Sequence, residues 1–210
     1  MYRSPLVPRV VKRALDLFVV MPTIVACFPI AVVVAILIRA RMGSPVLFRQ
    51  VRPGYKGRPF QLVKFRTMLE TTDASGALLP DDQRLTPLGR FLRRTSLDEL
   101  PQLWNVLRGD MSLVGPRPLL MEYLDRYTPE QMRRHDVRPG ITGLAQVSGR
   151  NNLPWEQRFD LDVWYVDNWS LWLDLRIIAL TIRKVLRGEG VSAQGVATMT
   201  KFTGSRDPAA

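Results

Sequence analysis

The hydrophobic and polar positions divide the chain into two unequal parts. Residues 17–38 form one apolar stretch that contains no charged side chain. As a straight helix this stretch would be roughly 33 Å long, enough to cross the hydrocarbon core of a bilayer. Beyond it, short alternating and amphipathic segments are separated by turns, a pattern typical of a folded domain. We therefore expect a membrane segment over residues 1–40 and a folded domain over residues 41–210.

Two features of the apolar stretch argue against a simple crossing. Pro22 and Pro29 lie inside it, and each removes a backbone hydrogen bond, so a kink or a break is expected near the middle. Basic residues also flank both ends: Arg9, Lys12 and Arg13 before, and Arg39, Arg41, Arg49 and Arg52 after. The positive-inside rule then gives no preferred direction. A re-entrant helix that bends and returns to its own side satisfies both features, and a full crossing is the alternative.

The rest of the chain predicts a mainly helical α/β domain with a small β-hairpin. Residues 43–68 contain short apolar and alternating runs around a Pro-Gly turn, and residues 70–84 are polar and predict a loop. Thr86 followed by Pro87 is typical of a helix start. Further helices are expected up to Arg108, where Gly109 follows, and over about residues 171–187.

Tryptophan is concentrated near the last predicted helices, at Trp164, Trp169 and Trp172. Tryptophan favours the membrane–water boundary, and a basic amphipathic helix can lie in that plane. Interfacial amphipathic helices are therefore one interpretation of this region. An ordinary core face is the other.

Charge and rare residues narrow the classes of function. The formal net charge of +11 implies an anionic partner, whether nucleic acid, acidic lipid or a phosphorylated substrate. Cys27 is the only cysteine, so no intrachain disulfide can form, and His135 is the only histidine, so no site with several histidines can form. We expect His135, which lies in a run of charged residues, to be solvated or structural.

The segment around Asp98 and Glu99 has both a structural and a chemical interpretation. Ser96 and Glu99 have the spacing of a helix capping box. Adjacent carboxylates near arginines also suit phosphoryl transfer, because a carboxylate can attack phosphorus and form an acyl phosphate. Cations must then offset the charge of the phosphoryl oxygens: Arg93, Arg117, Arg138 or Mg²⁺. No Walker loop or dinucleotide glycine fingerprint is present, which disfavours an ATPase or a Rossmann dehydrogenase.

Several longer blocks carry a family resemblance. They occupy residues 12–16, 64–68, 96–100, 105–118, 138–146 and 149–151. In this order they resemble the monotopic polyprenyl-phosphate phosphoglycosyl transferases, also called bacterial sugar transferases, over about residues 10–202. The short chain is most similar in form to the transferases that initiate bacterial N-linked glycan assembly.

The resemblance implies a reaction and a set of site residues. Asp98 would attack the β-phosphate of a UDP-sugar, release UMP and pass the phospho-sugar to polyprenyl phosphate. Glu99, together with Asp98, would bind Mg²⁺. The positions that would line the phosphate or nucleotide site are Lys64, Arg93, Arg117, Arg150 and Asp162, to which the turn residue Arg138 is added from its sequence context.

The resemblance also implies a location and partners. The enzyme would lie on the cytoplasmic face of the bacterial inner membrane with both termini cytoplasmic, and Pro29 would match the family's helix-breaking proline. Downstream glycosyltransferases would be possible partners, and nucleic acid would not be one. Two alternatives stay open: a membrane-tethered basic protein that binds nucleic acid or lipid without catalysis, and a polyprenyl-diphosphate hydrolase.

Overall fold

A computed structural model describes residues 6–149, 153–187 and 201–204. Eight α-helices and four strands lie in this part of the chain. In order, they are α1 (Leu6–Met42), β1 (Leu47–Pro53), β2 (Pro59–Phe65), α2 (Asp81–Arg84), α3 (Pro87–Thr95), α4 (Gln102–Arg108), β3 (Ser112–Val114), α5 (Pro129–Met132), β4 (Gly140–Thr142), α6 (Leu144–Ser148), α7 (Trp155–Asp167) and α8 (Leu171–Arg187). Short 3₁₀ turns connect several of these elements. The predicted fold class, mainly helical with a small hairpin, is confirmed.

The predicted hairpin is the antiparallel pair β1–β2, whose register runs from Leu47 opposite Phe65 to Pro53 opposite Pro59. A second sheet was not predicted. In it, β3 and β4 pair in parallel, with Ser112 opposite Gly140. A Cβ atom at Gly140 would lie 2.1 Å from the backbone nitrogen of Gly115, so only glycine permits these two backbone segments to approach this closely.

Helix α1 is continuous through both of its prolines, so neither proline breaks it, and a kink at the prolines stays a prediction. Only 11% of its most apolar window is buried, and side chains such as Phe18 and Val25 are 82% and 72% exposed. An exposed apolar surface of this length supports membrane association. The re-entrant path stays a prediction.

The start of α1 is held by polar contacts with the rest of the protein. Arg13 donates to the carbonyls of Val106 and Leu107 at 2.6 and 2.9 Å, where α4 ends and its carbonyls lack helical partners. Asp16 is buried and accepts a hydrogen bond from the Ser112 hydroxyl at 3.0 Å. Close contacts therefore join the segment 1–40 to the segment 41–210.

The hydrophobic core extends that connection. Buried residues of α1 belong to two clusters: Val20 with Leu62, Leu103, Val106 and Met111, and Val34, Ile38 and Met42 with Phe65 and Leu92. Because α4 and β2 pack on α1 in this way, the residues that follow Asp98 lie close to α1.

Helix α8 spans the residues predicted for it, Leu171–Arg187. Its inner face buries Ile177 and Asp174, whereas Trp172 and Leu186 are 76% and 81% exposed. Trp169 donates to the buried Asp174 carboxylate at 3.1 Å. The helix is thus amphipathic with an exposed apolar face, and its position at a membrane interface stays a prediction.

Candidate active site

Asp98 and Glu99 lie in a 3₁₀ turn, Leu97–Glu99, that connects α3 to α4. Ser96 ends α3 in the left-handed conformation with φ of 58°, and its side chain makes no capping hydrogen bond. The capping-box interpretation is therefore wrong. The left-handed turn stops α3 at Ser96 and leaves Glu99 free to point elsewhere. The helix start at Thr86 is confirmed, since its hydroxyl accepts from the backbone nitrogen of Gly89.

Glu99 is bound by two cations that come from distant parts of the chain. Lys64 Nζ, from β2, lies 2.8 Å from Glu99 Oε1, and Arg117 Nη2, from the turn after β3, lies 2.7 Å from the same oxygen. Burial of Glu99 disfavours its charged form, but Arg117 and Lys64 outweigh that cost and hold the pKa of Glu99 well below its usual range. Glu99 is therefore a permanent anion at neutral pH.

Asp98 has a different environment. Its residue is only 7% exposed, and within the described residues no hydrogen bond to its carboxylate is found. Burial, followed by the adjacent Glu99 charge, raises the pKa of Asp98 to about 6 against the opposing charges of Lys64, Arg117 and Arg93. A carboxylate that has few partners and a raised pKa is a stronger nucleophile than a solvated one.

Arg93 approaches from the last turn of α3. Its Nε donates to Thr67 Oγ1 at 3.1 Å, and its charge favours the ionised form of Asp98. The structure thus brings together five of the predicted site residues: Lys64, Arg93, Asp98, Glu99 and Arg117.

The protein side chains supply only some of the oxygen ligands that a magnesium ion needs. Within the described residues, no group of three or more His, Cys, Asp and Glu side chains could hold a metal ion. Asp98 and Glu99 supply two carboxylates, and both hydrogen bonds to Glu99 use Oε1. Mg²⁺ is commonly held by one or two carboxylates with water and substrate phosphates, so this pair fits an ion that arrives with a diphosphate.

Two predicted residues lie apart from the carboxylate pair. Asp162 is 2% exposed and pairs with Arg134, whose Nη2 lies 2.6 Å from Asp162 Oδ2. Arg138 donates through Nε to the Gly109 carbonyl at 2.8 Å. Arg150 lies outside the described residues.

Arg134 was not among the predicted site residues. It is 2% exposed, and besides Asp162 its Nη2 binds the backbone carbonyl of Arg117 at 2.9 Å. Arg134 thereby fixes the turn that presents Arg117 to Glu99, and Asp162 acts through it. Arg134 lies in a run of charged residues, and such runs are usually solvated, so the sequence did not predict a buried role for it.

His135, the next residue, is structural, which is one of the two roles predicted for it. The residue is 5% exposed, and its Nδ1 lies 3.3 Å from the Gly54 carbonyl. Burial and then the Arg134 charge lower the pKa of His135 to about 4, so the ring is neutral at physiological pH.

Comparison with known proteins identifies the family. The profile described as "Bacterial sugar transferase" matches residues 7–188. The chain belongs to the bacterial sugar transferase family. The family membership inferred from the sequence blocks is thus confirmed, and it disfavours both the non-catalytic basic protein and the hydrolase.

Curated members of the bacterial sugar transferase family differ in length. The chain is 56% identical over 203 residues to the uncharacterized sugar transferase EpsL of Bacillus subtilis, which covers 94% of this chain and 98% of that protein. It is 42% identical over 196 residues to a Klebsiella pneumoniae UDP-glucose:undecaprenyl-phosphate glucose-1-phosphate transferase, covering 88% of this chain and 42% of that one. A Caulobacter vibrioides transferase of the same name is 45% identical over 187 residues, 83% of this chain and 69% of that one. The chain thus spans less than half of the Klebsiella protein.

Proposed function

We propose that this enzyme transfers a phospho-sugar from a UDP-sugar to polyprenyl phosphate, with undecaprenyl phosphate as the bacterial acceptor. The observation that carries the proposal is the contrast between the two adjacent carboxylates. Glu99 is neutralised by Lys64 and Arg117, whereas Asp98 is buried and accepts no hydrogen bond within the described residues. The names of the Klebsiella and Caulobacter relatives support the same donor and acceptor classes.

In the first step a carboxylate oxygen of Asp98 attacks the β-phosphorus of the UDP-sugar. A bond forms between that oxygen and phosphorus, and the bond from phosphorus to the bridging oxygen breaks. UMP leaves with the bridging oxygen, and the phospho-sugar stays on Asp98 as an acyl phosphate. In the second step a phosphate oxygen of the acceptor attacks the same phosphorus, which releases the Asp98 carboxylate and gives polyprenyl-diphosphate-sugar.

The cations around the pair stabilise the charge that develops in both steps. Arg117 and Lys64 are held in place by Glu99, and preorganised donors of this kind need no rearrangement during the reaction. Arg93 offsets the charge near Asp98. Asp98 and Glu99 would hold Mg²⁺ together with the diphosphate oxygens, and the ion would supply further neutralisation of the phosphoryl oxygens.

The proposal includes a location. The enzyme lies on the cytoplasmic face of the inner membrane, α1 enters and returns to that face, and both termini are cytoplasmic. The exposed apolar surface of α1 and the basic residues at both of its ends support this arrangement. Downstream glycosyltransferases would receive the product. A tag at Met1 that is labelled from the cytoplasmic side of inverted vesicles supports the re-entrant path, and labelling only from the periplasmic side refutes it.

The mechanism is tested by a panel of UDP-sugars with Mg²⁺ and undecaprenyl phosphate, assayed for UMP release. We expect the wild type to release UMP and to form a lipid-linked sugar with at least one donor. Without acceptor, intact mass should show a phospho-sugar adduct, and peptide mapping should place it on Asp98. Asp98→Asn should abolish both signals. Asp160→Asn, which alters an exposed aspartate on α7, is the matched control. Full turnover by Asp98→Asn would refute the assignment.

A further inference from the structure

Asn105 of helix α4 carries a buried amide that binds the backbone of strand β2. The residue is 1% exposed. Its Nδ2 donates to the Gln61 carbonyl at 2.8 Å, and its Oδ1 accepts from the Val63 backbone nitrogen at 3.1 Å. Gln61 and Val63 are two residues apart, so these two groups lie on the same edge of the strand. The side-chain amide therefore binds that edge of β2 as a neighbouring strand would.

A third contact fixes the orientation of the Asn105 amide. Nδ2 also donates to Asp110 Oδ2 at 3.3 Å. The Gln61 carbonyl and the Asp110 carboxylate both accept, so they require the NH₂ group on their side, and the Val63 N–H requires the amide oxygen on the other. An amide satisfied in this way can be buried at little cost, whereas the strand groups would be costly to bury without it. Asn105 is therefore a specific connection between α4 and β2.

This connection joins the two segments that carry the ion pair of the site. Val63 directly precedes Lys64, whose Nζ lies 2.8 Å from Glu99 Oε1. Helix α4 begins three residues after Glu99, at Gln102. The distance between the cation and the carboxylate therefore depends on where β2 lies along α4.

Apolar contacts between β2 and α4 do not fix that position by themselves. Leu62 belongs to the same buried cluster as Leu103 and Val106 of α4. The hydrophobic effect is non-directional, so such contacts tolerate small shifts of the strand along the helix. The two hydrogen bonds from Asn105 to the strand are directional and weaken steeply with misalignment. They supply the register that apolar packing leaves open.

We propose that Asn105 is a positioning residue for the transfer reaction, because it holds the backbone just before Lys64 and so places that cation against Glu99. The inference rests on the function proposed above. Without Asn105 the ammonium group would shift relative to the phosphoryl oxygens, and a misplacement of about 1 Å can cost roughly a hundredfold in rate. Since Lys64 stabilises charge that develops during the reaction, the loss should appear in the rate at saturating UDP-sugar and not in the half-saturating concentration.

Two variants of Asn105 test the proposal in the acceptor-free half-reaction, with a UDP-sugar that the wild type accepts. Asn105→Ala removes the amide and its volume, and Asn105→Leu removes the hydrogen bonds but keeps a side chain of similar size. At saturating UDP-sugar, both variants should release UMP about tenfold more slowly than the wild type. The half-saturating concentration should change by less than about threefold.

Val106→Ala is the matched control, since it weakens the apolar cluster between α4 and β2 and leaves the amide in place. It should lower the Tm, as the Asn105 variants do, while its rate of UMP release stays within about twofold of the wild type. Wild-type rates in both Asn105 variants overturn the proposal. An equal loss of rate in Val106→Ala also overturns it, because general loosening of the fold would then explain the effect.

A double-mutant cycle shows whether Asn105 acts through Lys64. Lys64→Met should slow UMP release by itself. If Asn105 only positions that cation, adding Asn105→Ala to Lys64→Met should slow release by less than about twofold further. Independent, multiplicative losses overturn the proposal. If the alanine variant fails to fold, Asn105→Leu takes its place in the cycle.

The two proposals fail in distinguishable ways. If the wild type releases no UMP from any UDP-sugar and forms no adduct on Asp98, the proposed reaction is wrong, and the inference that depends on it is wrong as well. If the wild type releases UMP and the Asn105 variants do so at the same rate, the role of Asn105 is wrong and the reaction stands.

Discussion

Asp98→Asn removes one buried negative charge and keeps nearly the same side-chain shape. In the wild type that charge opposes folding, because Asp98 is 7% exposed and lies beside the anionic Glu99. The variant should therefore be more stable than the wild type at neutral pH even though we expect it to be inactive. Active sites commonly sacrifice stability in this way to keep a reactive group in place.

The magnitude follows from the pKa of Asp98, which rises from 3.8 to about 6. Well below pH 3.8 both the folded and the unfolded states hold the proton, so the wild type has no penalty. Between pH 3.8 and about 6 the unfolded state has lost the proton while the folded state still holds it, so stability falls as the pH rises across this window. Above pH 7 the loss is about 3 kcal/mol. Asn does not titrate, so the stability difference between the variant and the wild type grows as the pH rises across this range.

The assay is thermal unfolding in detergent micelles, followed by the fluorescence of the five tryptophans. At pH 7.5 the Tm of Asp98→Asn should exceed that of the wild type by roughly 6–12 °C, since 1 kcal/mol shifts a domain of this size by roughly 2–4 °C. At pH 4.5 the difference should fall to about 1 kcal/mol or less, because most of the wild-type carboxyl is then protonated.

Glu99→Gln is the matched control and should behave in the opposite direction. Its carboxylate is stabilised by Lys64 and Arg117, so its loss leaves two partly buried cations without a partner and lowers the Tm at neutral pH. The reasoning is refuted if Asp98→Asn has the wild-type Tm at pH 7.5. It is also refuted if the gain is larger at pH 4.5 than at pH 7.5.

Three further predictions concern the same region. The kcat/KM for UMP release should decline tenfold per pH unit below an apparent pKa of about 6, where Asp98 becomes protonated; a flat profile down to pH 5 would contradict this. Asp162→Asn leaves the charge of Arg134, which is 2% exposed, without its partner. It should lower the free energy of unfolding, measured with denaturant, by about 3–5 kcal/mol. A loss below about 1 kcal/mol, which is typical of an exposed ion pair, would show that this pair is solvated. Ser96→Gly should raise the free energy of unfolding by about 0.5–1 kcal/mol, because φ is positive at this position. Ser96→Ala should change that free energy little. A loss near 1 kcal/mol in the alanine variant, measured by denaturant unfolding, would restore the capping interpretation.

Elements with strong local signals were predictable from the sequence. Helix α8 occupies the predicted residues 171–187, and α3 begins after its capping residue Thr86. The β1–β2 hairpin has its turn at the predicted Pro-Gly pair. In each case the periodicity, the cap or the turn residue lies within the element itself, so no distant contact is needed to define it.

Elements that depend on distant contacts were missed. Strands β3 and β4 have three residues each and pair across an intervening segment that includes α5, so neither has a period long enough to recognise. The spacing of Ser96 and Glu99 also fits a capping box, but cations from β2 and from the turn after β3 bind Glu99 instead.

The amino-acid sequence by itself determined the family, the membrane segment and the chemical types in the site, because these depend on composition, order and local spacing. Tertiary structure decided which carboxylate is paired with cations and which has a raised pKa. Asp98 and Glu99 are neighbours in sequence with nearly the same chemistry, and only the placement of Lys64 and Arg117 on Glu99 separates their pKa values. Burial increased this difference in pKa, because it weakens solvent screening and strengthens the effect of each nearby charge.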